Sequence, residues 1–214
     1  MIGDSIIKHI AKQGKGSIKD TELSINRGKG FKTIVEIIVK GDIKLHGWEV
    51  ILLHLGTNDV ADLFRINKER EKELIYFGYT NRVLLTPLDI FNSFVALINI
   101  IRQRNARAKI IFSAILPRPC DHDQSNSVCH QVNARIKEYC LKTQGMIFNP
   151  TFTWFQKHGK PVISLFGHYD QLHLSFTGKE VLTQAFQMAL ADSNIAAESH
   201  CRRPGSRRQR VKKH

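Results

Sequence analysis

A serine, a pair of loop glycines, an asparagine and an aspartate–histidine pair give this 214-residue chain the groups that acyl transfer requires. Ser5 follows Gly3-Asp4, Gly28 and Gly30 stand in Arg27-Gly28-Lys29-Gly30, and Asn58 lies in Gly56-Thr57-Asn58-Asp59. Asp170 and His173 are three residues apart. A serine hydroxyl is a weak nucleophile until a neighbouring base takes its proton. An imidazole such as His173 can take that proton and return it to a leaving group, while Asp170 holds the ring in one tautomer and stabilises its cation. The negative oxygen that develops on the attacked carbonyl needs fixed donors, each worth ~3 kcal/mol. The candidates are the Ser5 backbone N–H at a helix N-terminus, the Gly30 backbone N–H and the Asn58 side-chain amide. Taken singly, each residue has a plainer use: Ser5 as a helix cap, Asn58-Asp59 as turn residues, the glycines as positive-φ positions.

These residues need elements to bring them together, and the apolar periodicity supplies them. Ser5 to Gln13 has a helical period. Glu22 to Asn26 reads as a strand and Phe31 to Val39 as a helix with Phe31, Ile34, Val35 and Ile38 on one stripe. Glu49 to Leu55 is a nearly continuous apolar run, the pattern of a strand buried on both faces. Residues 60–85 are charged and without clear period, a loop or short helix. Thr86-Pro87 supplies a cap and a proline at the first helical position for a helix reaching about Asn105. Lys109 to Ile115 is the next strand, closed by Leu116-Pro117-Arg118-Pro119. A helix from about Ser127 to Thr143, a strand at Met146 to Asn149, and a last helix capped by Ser175 or Thr177 and reaching about Asp192 complete the alternation. Strands alternating with helices predict a parallel sheet covered on both faces, and the chemistry-bearing residues fall at strand ends, where such sheets bind ligands.

The order Gly3-Asp4-Ser5, Gly30, Gly56-Thr57-Asn58-Asp59 and Asp170-Gln171-Leu172-His173 resembles the SGNH (GDSL-type) serine hydrolase family over roughly residues 1 to 192. Leu116-Pro117-Arg118-Pro119 is similar to the loop after that family's fourth block. The resemblance implies a flavodoxin-like α/β/α three-layer domain that hydrolyses esters with neither metal nor cofactor. It gives Ser5 the part of nucleophile, Asp170 and His173 the rest of the triad, and Gly30 and Asn58 the oxyanion hole, with Gly28 an alternative to Gly30 because Arg27-Gly28-Lys29-Gly30 is compact for that family's glycine block. Only Met1 and Ile2 precede Gly3-Asp4-Ser5, so the first strand of that fold is expected to be missing. That leaves an interior place in the sheet empty and Ser5 on an unsupported segment, as in a truncated or inactive copy.

Composition sets the outer bounds. With 42% apolar and 24% charged residues the chain is an ordinary globular sequence, read as one domain over 1–192 and a disordered basic tail over 193–214. No apolar run approaches the ~20 residues of a membrane span. No secretory signal opens the sequence as it stands, so a cytoplasmic or nuclear location is expected. Seven of the net +13 charges lie between Cys201 and His214, a composition suited to a nuclear import signal or a contact for anionic surfaces. Cys120, Cys129, Cys140 and Cys201 match no common zinc spacing and read as free thiols. Arg118, Lys29 and Lys32 are placed to attract an acidic ester. The rival reading is a catalytically inactive module of the same fold, related to domains of LINE-type retroelements, that binds nucleic acid through residues 201–214.

Overall fold

The computed structural model describes residues 1–7, 10, 22–77 and 83–201. Five strands form one parallel sheet: β1 (Ile2–Gly3), β2 (Ser24–Ile25), β3 (Val50–His54), β4 (Lys109–Ser113) and β5 (Met146–Asn149). Their order is β2-β1-β3-β4-β5, the flavodoxin-like arrangement, in which the chain reverses direction across the sheet between β1 and β3 and leaves a crevice there.

Side chains alternate across the central strands and so feed two cores. Ile51, Leu53, Ile110 and Phe112 face one side, packing with Phe31, Ile34 and Ile38 of α1 (Phe31–Lys40), with Phe94, Leu97 and Ile101 of α3 (Pro87–Arg104), and with Val132 and Ile136 of α4 (His122–Lys142). Phe94 anchors this side through ring contacts at 5.8 Å to Phe31 and 5.0 Å to Phe112, each pair worth ~1 kcal/mol beyond its burial. Leu52 and Ile111 face the other side, where Leu182, Phe186 and Ala189 of α5 (Phe176–Cys201) meet Ile6, Ile7 and Phe155. The result is the expected three-layer α/β/α domain.

Four expectations change. The interior place in the sheet is not empty: Ile2 and Gly3 form β1 and pair with Ser24 and Ile25 on one side and with Leu53 and His54 on the other. The pairing falls at the C-terminal end of β3, and Met1 extends the contact to β2 by accepting the Ser24 N–H at 2.9 Å. The segment after Ser5 is a 3₁₀ turn over Ser5–Ile7 where an α-helix to Gln13 was expected, the rest of that stretch lying outside the described residues but for Ile10. Residues 57–77 form a 21-residue helix, α2 (Thr57–Phe77), where a loop or short helix was expected. Its middle, Asn67 to Glu73, is wholly polar and charged, which hides the period, while Val60 and Leu63 in the first turns are buried. Further along it relies on helix-favouring residues and the exposed pairs of Arg65 with Asp62 and Glu69. Finally, α5 continues to Cys201, past Asp192, and the basic stretch after it, 202–214, lies outside the described residues. No helix among the described residues is long and apolar enough to cross a membrane.

Candidate active site

Ser5 is reached directly from β1 and is held from both sides by Asp4. The Asp4 N–H donates to the His54 carbonyl at 3.3 Å, extending the ladder to β3. Its buried carboxylate accepts the Ile6 N–H through Oδ1 at 2.9 Å. Ile6 and Ile7 then drive into the core, so Ser5 sits on a short turn anchored before and after it, contrary to the unsupported segment expected. Burial dominates the Asp4 carboxyl and pushes its pKa up to about 6.

Asp170 and His173 come from a loop that organises itself. Asp170 Oδ1 accepts the N–H groups of Leu172 and His173, both at 3.0 Å, an Asx-type turn that places Gln171 in the left-handed region at φ 49°. Backbone bonds from Gly167 N–H to His173 O (2.6 Å) and from Gln171 N–H to Gly167 O (3.0 Å) close the loop. Burial opposes ionisation of Asp170, but the His173 ring and these amides outweigh it and hold the carboxyl below its usual value.

The loop and the turn meet at the C-terminal edge of the sheet. His173 Nδ1 lies 2.5 Å from Asp170 Oδ2, and His173 Nε2 lies 2.8 Å from Ser5 Oγ. An ionised carboxylate can only accept, so Nδ1 carries the proton and Nε2 is left to accept from the serine. Ser5 and His173, 168 residues apart in the chain, are joined in one line of hydrogen bonds.

Gly30, at the start of α1 beyond β2, and Asn58, in the first turn of α2 beyond β3, lie beside each other. Gly30 caps α1 and is packed so closely that a Cβ there would lie 2.6–2.8 Å from the Asp59 carboxylate. Asn58 donates its side-chain amide to the Lys29 carbonyl at 3.2 Å. A trans peptide points its C=O and N–H in opposite directions, so the Gly30 N–H faces away from the Asn58 amide in this arrangement. Among the described residues, neither the Gly30 N–H nor the Ser5 N–H has a hydrogen-bond partner.

A profile of the GDSL-like lipase/acylhydrolase family matches residues 19–181. The chain belongs to that family. Membership places it among ester-hydrolysing enzymes. The matched span begins after Ser5, so what ties Ser5 to the site is its geometry. No curated protein matches the sequence, but solved structures share the fold at low identity. A Streptococcus pneumonia protein whose description names platelet activating factor superposes with a TM-score of 0.67 at 19% identity, over 88% of this chain and 81% of that one. A GDSL-like lipase from Bacteroides thetaiotaomicron gives 0.65 at 15%, covering 90% and 86%. A carbohydrate esterase family 3 structure from Talaromyces cellulolyticus gives 0.60 at 15%, covering 90% and 95%.

In this GDSL hydrolase several residues near the motifs have structural work. Arg118 is not available to an acidic ester: it is 5% exposed, forks onto Asp121 at 2.6–3.1 Å, and donates to the Thr57 carbonyl at 2.9 Å. It thereby ties the loop after β4 to the start of α2, and the Arg118-x-x-Asp121 spacing was the only hint of it in the sequence. Lys29 and Lys32 remain exposed. His54 is a packing residue, its ring 5.7 Å from that of Phe186 and its Nδ1 2.9 Å from Ser113 Oγ, and burial holds its pKa down at about 3. His168 and Tyr169 pair their rings at 6.1 Å. Among the described residues no three His, Cys, Asp or Glu side chains converge as a metal site would require. Burial raises the Cys129 and Cys140 thiols to about 12, which leaves them protonated and unreactive.

Proposed function

We propose that this chain is a serine esterase that works through an acyl-enzyme on Ser5. The observation that carries the reading is the unbroken hydrogen-bonded line from Asp170 through His173 to the Ser5 hydroxyl. Ser5 Oγ attacks the ester carbonyl carbon as its proton passes to His173 Nε2. The tetrahedral intermediate collapses, the C–O bond to the alcohol breaks, and the departing oxygen takes the proton back from Nε2. Water then repeats the sequence on the acyl-serine, releasing the acid. Asp170 stays ionised throughout and stabilises the imidazolium.

The Ser5 and Gly30 N–H groups supply the oxyanion donors, and the Asn58 amide joins them by leaving the Lys29 carbonyl. Such tightening on substrate is common in sites described without ligand. A small ester substrate suits the open, half-exposed position of His173.

Two measurements test this. A fluorophosphonate probe is expected to modify Ser5, located by peptide mass, and Ser5→Ala is expected to abolish both labelling and hydrolysis of a short-chain p-nitrophenyl ester, a loss on the order of 10⁶ in kcat. Labelling at a different residue, or a folded Ser5→Ala protein that still turns over, overturns the proposal.

A further inference from the structure

Asp59 stands next to the proposed oxyanion donor Asn58, yet its carboxylate points into the protein, and the mechanism above gives it nothing to do. Both of its oxygens accept the same group, the Phe31 N–H, at 3.0 and 3.1 Å across 28 residues of chain. That N–H is the first of helix α1, a donor with no partner inside the helix, and it belongs to the peptide immediately after Gly30. In this arrangement the preceding peptide is held as well, through the Asn58 amide on the Lys29 carbonyl at 3.2 Å; once Asn58 turns to the oxyanion, the Asp59 clasp is the hold that remains. The two adjacent side chains at the start of α2 thus grip both peptides that flank Gly30. The fit leaves no room for a side chain on Gly30, since a Cβ would meet Asp59 Oδ1 at 2.6 Å and its Oδ2 and Cγ at 2.8 Å.

We infer that Asp59 is a positioning residue for catalysis: by clasping the Phe31 N–H it fixes the rotation of the Gly30 peptides and so aims the Gly30 N–H at the oxyanion. The inference rests on the esterase reading above, in which Gly30 is a donor. Its physical basis is that a loop glycine has the widest choice of backbone angles of any residue, whereas an oxyanion donor contributes only when it is already aligned as charge develops. An ångström of misplacement at such a site lowers rate by about a hundredfold. Hydrogen bonds to a charged acceptor are roughly twice as strong as neutral ones, which makes a carboxylate a suitable clasp. Burial raises the Asp59 pKa to about 7, and the Phe31 N–H is the main influence opposing that rise. A protonated carboxyl still offers an acceptor oxygen to the same N–H, so the clasp survives titration in weaker form.

Steady-state kinetics on Asp59→Asn and Asp59→Ala test the inference. The donor acts on the transition state, so the loss should fall on kcat and leave KM within about twofold. Asp59→Ala is expected to lower kcat ~10- to 100-fold. Asp59→Asn keeps one acceptor oxygen for Phe31 and should lie between, at ~3- to 10-fold. Affinity for a tetrahedral boronate inhibitor is expected to fall in parallel with kcat, a shift that a merely structural role would not produce. An Asp59→Asn enzyme with wild-type kcat, or one whose loss lies in KM, overturns the inference. Should Asp59→Ala fail to fold, the Asn variant decides the matter alone. The Ser5→Ala control separates the two claims. An inactive Ser5→Ala beside fully active Asp59 variants removes only the role of Asp59, whereas an active Ser5→Ala removes the esterase reading beneath it.

Discussion

His173 faces partners with opposite demands, a carboxylate that accepts and a hydroxyl that donates, and its two ring nitrogens divide the work between them. The division depends on Asp170 being ionised, which the Leu172 and His173 amides and the ring together favour. An asparagine at 170 would preserve the turn through its amide oxygen but would no longer select the tautomer that leaves Nε2 free. Because Asp170 is about half exposed, water partly compensates. Asp170→Asn is therefore expected to lower kcat by ~10²- to 10³-fold with little change in Tm. A loss below about threefold in the purified variant would show that Asp170 has no part in turnover.

Helix α5 shows how the ends of elements set the site. Ser175 Oγ accepts the Gly178 N–H at 3.1 Å and donates to the Ser164 carbonyl at 2.8 Å, so of the two caps open from the sequence Ser175 is the one used. The first turn then packs against the 3₁₀ turn Ile163–Leu165, which leads into the loop carrying Asp170 and His173. A Cβ on Gly178 would lie 1.9 Å from the Leu165 carbonyl oxygen, a backbone atom that cannot step aside cheaply. Gly178→Ala is expected to destabilise the fold by several kcal/mol, as overpacking does when relief needs a backbone shift, and to displace His173. Thermal unfolding and ester hydrolysis together check this: a variant with unchanged Tm and activity would mean that α5 docks otherwise.

The domain as a whole buries titratable groups whose pH dependences oppose one another. Asp4 has a pKa of about 6 folded against 3.8 unfolded, so between those values the folded state holds a proton that the unfolded chain has lost. Its contribution to stability falls as pH rises across that window, by about 3 kcal/mol in all. His54 titrates near 3 folded against 6.5 unfolded. The unfolded chain gains that proton first, so its contribution falls as pH drops below 6.5. Measured as denaturation free energies at pH 4 and pH 7, Asp4→Asn should gain on the wild type by about 3 kcal/mol at the higher pH. His54→Leu should gain on it by a similar amount at the lower pH. Gaps that do not move with pH would place both side chains in water.

Much of this protein was legible one residue at a time along the chain. The strands at Glu49–Leu55, Lys109–Ile115 and Met146–Asn149, the helices of α1 and α3, and the parallel α/β alternation follow from apolar period and turn chemistry, because both are local and repeat within a few residues. The motif order also pointed to Ser5, Gly30, Asn58, Asp170 and His173. Other features depended on the folded chain. Ile2–Gly3 is too short to declare itself a strand and becomes one only because β2 and β3 supply partners on both sides. Helix α2 has little amphipathic signal, and among its described side chains the buried apolar ones, Val60 and Leu63, lie in the first turns. Arg118 reads as a surface cation until Asp121 and the Thr57 carbonyl enclose it. The clasp of Asp59 on Phe31, the opposed directions of the Asn58 amide and the Gly30 N–H, and the meeting of Ser5 with His173 join residues 28 to 168 positions apart. Sequence spacing carries no information about distance at that range; the packing of the layers and the order of the strands decided it.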